Sequence, residues 1–96
     1  MYSDAELEEA HRHSMCHRAE VLSSESCGCF HCRRIFSPSE IKEWVDKDEV
    51  GIGTTALCPR CGIDSVIGSK AGFSLSPRFL ASMHRRWFRV RPLPKR

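Results

Sequence analysis

Two Cys-x-x-Cys pairs, Cys29 with Cys32 and Cys58 with Cys61, stand 25 residues apart in a chain of 96. A two-residue gap lets one tight turn present both sulfurs to the same ion. Two such turns complete a tetrahedron of four thiolates, which zinc prefers and which leaves no open coordination position. Gly62 follows the second pair, where a residue with positive φ is often wanted. A chain this small buries only about 60–65% of its unfolded surface, so its core is marginal without a staple. One structural zinc ion is the staple that the spacing predicts.

Six cysteines also fit a secreted disulfide scaffold, but that requires an export signal. Residues 1–6 are acidic and lack an apolar core, and no apolar run approaches the ~20 residues needed to span a bilayer. The expectation is a cytoplasmic protein with reduced cysteines and no membrane association. Cys27 offers a third sulfur and His31 a nitrogen beside the first pair. Cys29 and Cys32 are preferred because their spacing repeats that of Cys58 and Cys61, with Cys27 a bystander; replacement of a ligand by Cys27 or His31 stays open.

The remaining residues predict helices around these turns. Ser3 and Glu6 form a capping box at the start of a helix over residues 3–22, with Leu7, Ala10, Ser14, Arg18 and Val21 on one weakly apolar stripe. Ser37, Pro38 and Glu40 start a second, inserted helix whose apolar face is Ile41, Trp44 and Val45. Residues 54–57 and 65–67 read as the two strands of an antiparallel hairpin carrying the second metal turn at its tip. Ser76 and Pro77 open a third helix over 77–89, with Phe79, Leu80, Met83, Trp87 and Phe88 at helical spacing. The predicted fold class is therefore small α+β: a four-cysteine zinc ribbon with N-terminal, inserted and C-terminal helices. It forms a single domain over residues 1–90, followed by a basic tail at 91–96.

The run Cys27-Gly28-Cys29-Phe30-His31-Cys32 and the block 56–68, containing Cys58-Pro59-Arg60-Cys61-Gly62-Ile63-Asp64-Ser65-Val66-Ile67-Gly68, resemble a family of small bacterial proteins with a zinc-ribbon-like core. The start of the inserted helix, the Gly72-Phe73 turn, the last helix and His13-Ser14…His17-Arg18 are similar to that family as well. The resemblance covers about residues 10–88 and implies a cytoplasmic zinc-ribbon fold. It carries no assigned activity. The connection over 48–55 and the Arg-rich end at 89–96 depart from the family's pattern.

Charge divides the chain unevenly. Residues 1–64 hold all 12 acidic side chains and sum to −5, whereas residues 65–96 hold 8 basic residues and no acid. Arg78, Arg85, Arg86 and Arg89 therefore nominate the C-terminal helix as a surface for nucleic acid or an acidic protein partner, acting as a non-enzymatic binding module. The alternative is a metal-assisted hydrolase or nuclease using His13, His17 and Asp64. His13 and His17 share a helix face beside Cys16, which also allows a second metal site, and Asp64 directly follows the second metal turn. That reading requires His13, His17 and Asp64 to converge. The sequence leaves the oligomeric state open.

Overall fold

The computed structural model of the chain describes residues 2–88. The predicted tail at 91–96 and Arg89, the last residue of the predicted C-terminal helix, lie outside these. No helix among the described residues is long and apolar enough to cross a membrane. The architecture is a small α+β fold with two antiparallel sheets.

Helix α1 (Asp4–Arg12) begins with the expected capping box. The Ser3 hydroxyl accepts the Glu6 N–H at 3.1 Å, and the Glu6 carboxylate accepts the Ser3 N–H at 2.9 Å. The helix then stops, so a single helix over 3–22 is not formed. Residues 13–17 make a turn in which Cys16 takes φ +50°, and helix α2 (Arg18–Leu22) follows. The physical reason is tertiary. The N–H groups of Cys16 and His17 leave the helical ladder for Thr55 Oγ1 and the Thr54 carbonyl, both at 2.8 Å. A weakly apolar stripe offers too little burial to resist that exchange.

The central sheet has β1 (Cys27–Cys29) in the middle, flanked by β2 (Ile35–Phe36) and β5 (Val66–Gly68). Both pairings are antiparallel, with Cys27 opposite Phe36 on one side and Gly68 on the other. A separate two-stranded ribbon joins β3 (Trp44–Lys47) to β4 (Gly53–Ala56). This corrects two expectations. The inserted helix is one 3-10 turn (Pro38–Glu40), closed by a capping box between Ser37 and Glu40. Beyond it Ile41 turns extended, and Trp44 and Val45 enter a strand. Aromatic and β-branched residues favour that state once a partner strand is at hand. Residues 54–57 and 65–67 do not pair with each other, because β4 bonds to β3 and β5 bonds to β1.

Strand alternation divides the core into two clusters. Cys27, Cys29 and Val66 face one side, with Val21, Phe36, Ile41, Ala56 and Cys58. Ile67 faces the other, with Leu7, Ala10, Phe30 and the apolar stripe of helix α3 (Pro77–Trp87). The Ser76 hydroxyl caps α3 by accepting the Phe79 N–H at 3.1 Å. Phe79, Leu80 and Met83 are buried; each such side chain contributes about 1.5–3 kcal/mol, against ~1 kcal/mol for a cap. The stripe, more than the cap, fixes where α3 lies. Trp87 and Phe88 are half-buried at its end.

Candidate metal centre

The four predicted ligands come together: the Sγ atoms of Cys29, Cys32, Cys58 and Cys61 all lie within 4.8 Å of one another. Cys29 to Cys61 and Cys32 to Cys58 are each 3.7 Å. A tetrahedral ion with metal–sulfur bonds of ~2.3 Å needs its sulfurs ~3.8 Å apart. The cluster thus has the dimensions of a four-thiolate metal site. Cys27 and His31 do not belong to it. Cys27 is fully buried on the same face of β1 as Cys29, and burial pushes its thiol up to about 11.

The two turns repeat one another bond for bond. In the first, the Cys29 N–H donates to the Arg34 carbonyl at 3.0 Å, and the Arg33 N–H to the Cys29 carbonyl at 2.7 Å. In the second, the Cys58 N–H donates to the Ile63 carbonyl and the Gly62 N–H to the Cys58 carbonyl, both at 2.9 Å. The His31 N–H points at Cys29 Sγ (3.4 Å) and the Arg60 N–H at Cys58 Sγ (3.3 Å). Both turns close on a left-handed residue, Arg33 at φ +65° and Gly62 at φ +80°. The glycine was legible in the sequence. The equivalent role of Arg33 was not, because arginine carries no such signal and is held there by the turn.

Location explains what a metal would accomplish. The first turn links β1 to β2 within the central sheet, and the second leaves the ribbon after β4 and enters β5. One ion across both turns would tie the ribbon to the sheet. Beside it the β1–β5 pairing runs on by one bond, from the Phe30 N–H to the Ser65 carbonyl at 3.0 Å.

The thiols are unequal. Cys29 and Cys58 are buried, while Cys32 and Cys61 are half-exposed. Burial drives the Cys29 thiol well up, against the opposing pull of the Ser65 hydroxyl, 3.0 Å from its sulfur, and of nearby N–H groups. Burial would also raise Cys58, but the N–H groups of Arg60 and Cys61 with the thiols of Cys32 and Cys29 outweigh it and hold it below the ordinary value. Burial leaves Cys61 raised. A divalent cation replaces these protons, so metal affinity rises with pH.

The proposed catalytic set does not assemble. His17 is buried with both nitrogens used: Nδ1 donates to the His13 carbonyl and Nε2 accepts the Ala56 N–H at 3.1 Å. His13 turns to Glu20 at 2.9 Å and to Glu9 at 3.5 Å. Asp64 is exposed, and its field falls on His11. The broken helix causes this, since His13 and His17 no longer share a helical face. Among the described residues, only the four cysteines group as candidate metal ligands, so His13, His17 and Cys16 make no second centre.

The C-terminal arginines are also unequal. Arg86 pairs with Glu8 at 2.9 Å and Asp4 at 3.9 Å and lies over the Trp87 ring at 4.3 Å. Arg78 and Arg85 are exposed and have no acidic partner among the described residues. Arg60, beside the ligands, pairs with Glu40 at 2.9 Å. No protein-family model matches the chain, no curated protein matches it, and no solved structure matches it.

Proposed function

We propose that the chain is a zinc-ribbon module whose single zinc ion is structural, and that it works by binding an anionic partner and not by catalysis. The observation that carries the reading is the tetrahedral spacing of four sulfurs on two pre-formed, hydrogen-bonded turns. Four thiolates fill the coordination shell and leave no position for substrate or water. The resemblance of the cysteine blocks to small bacterial zinc-ribbon-like proteins supports the same reading and implies a cytoplasmic location, where thiols stay reduced.

The partner surface is the outward face of α3. Arg78 and Arg85 are free for phosphates or carboxylates, whereas Arg86 is occupied by α1. Two phosphate contacts would give a log–log salt slope of about −2 in a nucleic-acid titration. A slope near zero leaves the acidic protein as the partner.

Metal analysis of freshly purified, reduced protein tests the core of this proposal. One zinc per chain is expected. Chelation should then abolish the near-ultraviolet signal of Trp44, which packs against the core cluster that contains Cys29 and Cys58, because metal-binding energy is also folding energy. Reduced protein without stoichiometric metal, or a chelated chain with unchanged melting and spectrum, would overturn it.

A further inference from the structure

We infer that the four-sulfur centre is an oxidation site with a fixed pairing: a peroxide joins Cys29 to Cys61 and Cys32 to Cys58, and the metal is expelled. The inference rests on the metal-binding reading above, and three observations carry it.

The first is access. Each turn buries its leading cysteine and leaves its trailing one, Cys32 or Cys61, partly exposed. A small oxidant therefore meets a trailing sulfur first. The second is the distribution of N–H groups. His31 and Arg60 direct theirs at the leading sulfurs Cys29 and Cys58. Cys32 and Cys61 add their own N–H groups to Cys29 and Cys58, so each leading sulfur takes two, whereas Cys61 takes one, from Ile63. Donated hydrogen bonds quieten a thiolate, so Cys61 keeps more nucleophilic character than the leading sulfurs. The third is orientation. Cys29 with Cys61 and Cys32 with Cys58 meet at 3.7 Å in the alignment of sulfur–sulfur hydrogen bonds. Both contacts cross between the turns, and each couples a partly exposed cysteine to a buried one.

The chemistry balances without a further reagent. A trailing thiolate attacks one peroxide oxygen, the O–O bond breaks, and a sulfenic acid and hydroxide form. The buried thiolate across the interface attacks the sulfenic sulfur, the S–S bond forms and a second hydroxide leaves. Two electrons pass from two sulfurs to one peroxide. The ion has then lost two of four ligands and dissociates, and the second pair consumes a second peroxide in the same way. Because the links cross between the turns, the ribbon stays tethered to the sheet after the metal has gone.

The test treats the zinc-loaded full-length chain with hydrogen peroxide in a Cys16→Ser background, since Cys16 is exposed and would link molecules. Zinc release is followed with a chromogenic chelator and the linkages by mass spectrometry. Trypsin cuts after Arg60, between Cys58 and Cys61, and chymotrypsin after Phe30, between Cys29 and Cys32. The expected result is one equivalent of zinc released, loss of four thiols, and peptides joined as Cys29–Cys61 and Cys32–Cys58, with Cys27 still free. Links within a turn, links between Cys29 and Cys58, or sulfinic acids without links would overturn the inference. A chain that never holds zinc would defeat the metal reading alone, and the linkages formed in the reduced, metal-free chain would still decide the pairing.

Discussion

Replacing His17 tests a polar side chain that ties two parts of the fold together. The residue is 5% exposed, and its ring joins the α1–α2 turn to the ribbon through two hydrogen bonds, one given to the His13 carbonyl and one taken from the Ala56 N–H. His17→Ala removes the donor (~1 kcal/mol), strands the Ala56 N–H (about 1–3 kcal/mol) and vacates part of a packed interior. Together these amount to roughly 3–5 kcal/mol, or a fall of well over 10 °C in Tm for a domain of this size. His17→Gln keeps an acceptor near the Nε2 position and should cost about 1–2 kcal/mol. The two variants also differ from wild type in how they answer to pH. Burial lowers the His17 pKa below 6.5, and the bond to His13 and the nearby Glu20 only partly offset it. Below pH 6.5 the unfolded chain therefore binds a proton that the folded chain refuses. This contribution is complete above that pH and is lost as pH falls, by up to ~1.4 kcal/mol per unit, until the folded pKa is passed. Glutamine does not titrate. The stability advantage of wild type over His17→Gln should accordingly shrink as pH falls from 7.5 to 5.5. Urea melts of both proteins in saturating zinc provide the measurement, and the difference cancels the acid sensitivity of the metal site. An alanine cost below 1 kcal/mol, or a pH-independent difference, would refute the reasoning.

The two metal turns make a paired prediction. Gly62→Ala places a side chain at φ +80° and should cost about 1 kcal/mol in chemical denaturation, whereas Arg33→Gly at φ +65° should be neutral or slightly stabilising. Gly68→Ala should be more severe, about 2–3 kcal/mol, because the added Cβ would lie 2.3 Å from Ser24 Oγ. That hydroxyl donates to the Glu20 carbonyl and accepts the Lys70 N–H; Gly68→Ala with Ser24→Ala should recover part of the loss in the same melts. Ser76→Ala removes the α3 cap and should cost ~1 kcal/mol without changing zinc stoichiometry. Substituting Glu for Arg85 should weaken capture of an anionic partner, while the same change at Arg86 should mainly lower Tm, since Arg86 already serves Glu8 and Asp4.

The sequence alone determined whatever is written in short spans. The spacing of Cys29, Cys32, Cys58 and Cys61 named the cluster, because a two-residue gap restricts a turn whatever surrounds it. Ser3, Ser37 and Ser76 marked three element starts, since a cap acts on N–H groups two or three residues away. The α3 stripe followed from its period. Tertiary structure decided the rest. It broke the first helix at residues 13–17 by offering Thr54 and Thr55 as better partners for two N–H groups. It also reduced the inserted helix to one turn and paired β4 with β3 and β5 with β1, in place of the local hairpin that proximity along the chain favours. The physical reason is one of range: caps and metal turns are settled within a few residues. A strand takes its identity from whichever distant backbone lies beside it, and the distribution of Arg86, Asp64, His13 and His17 over separate neighbourhoods follows from that choice.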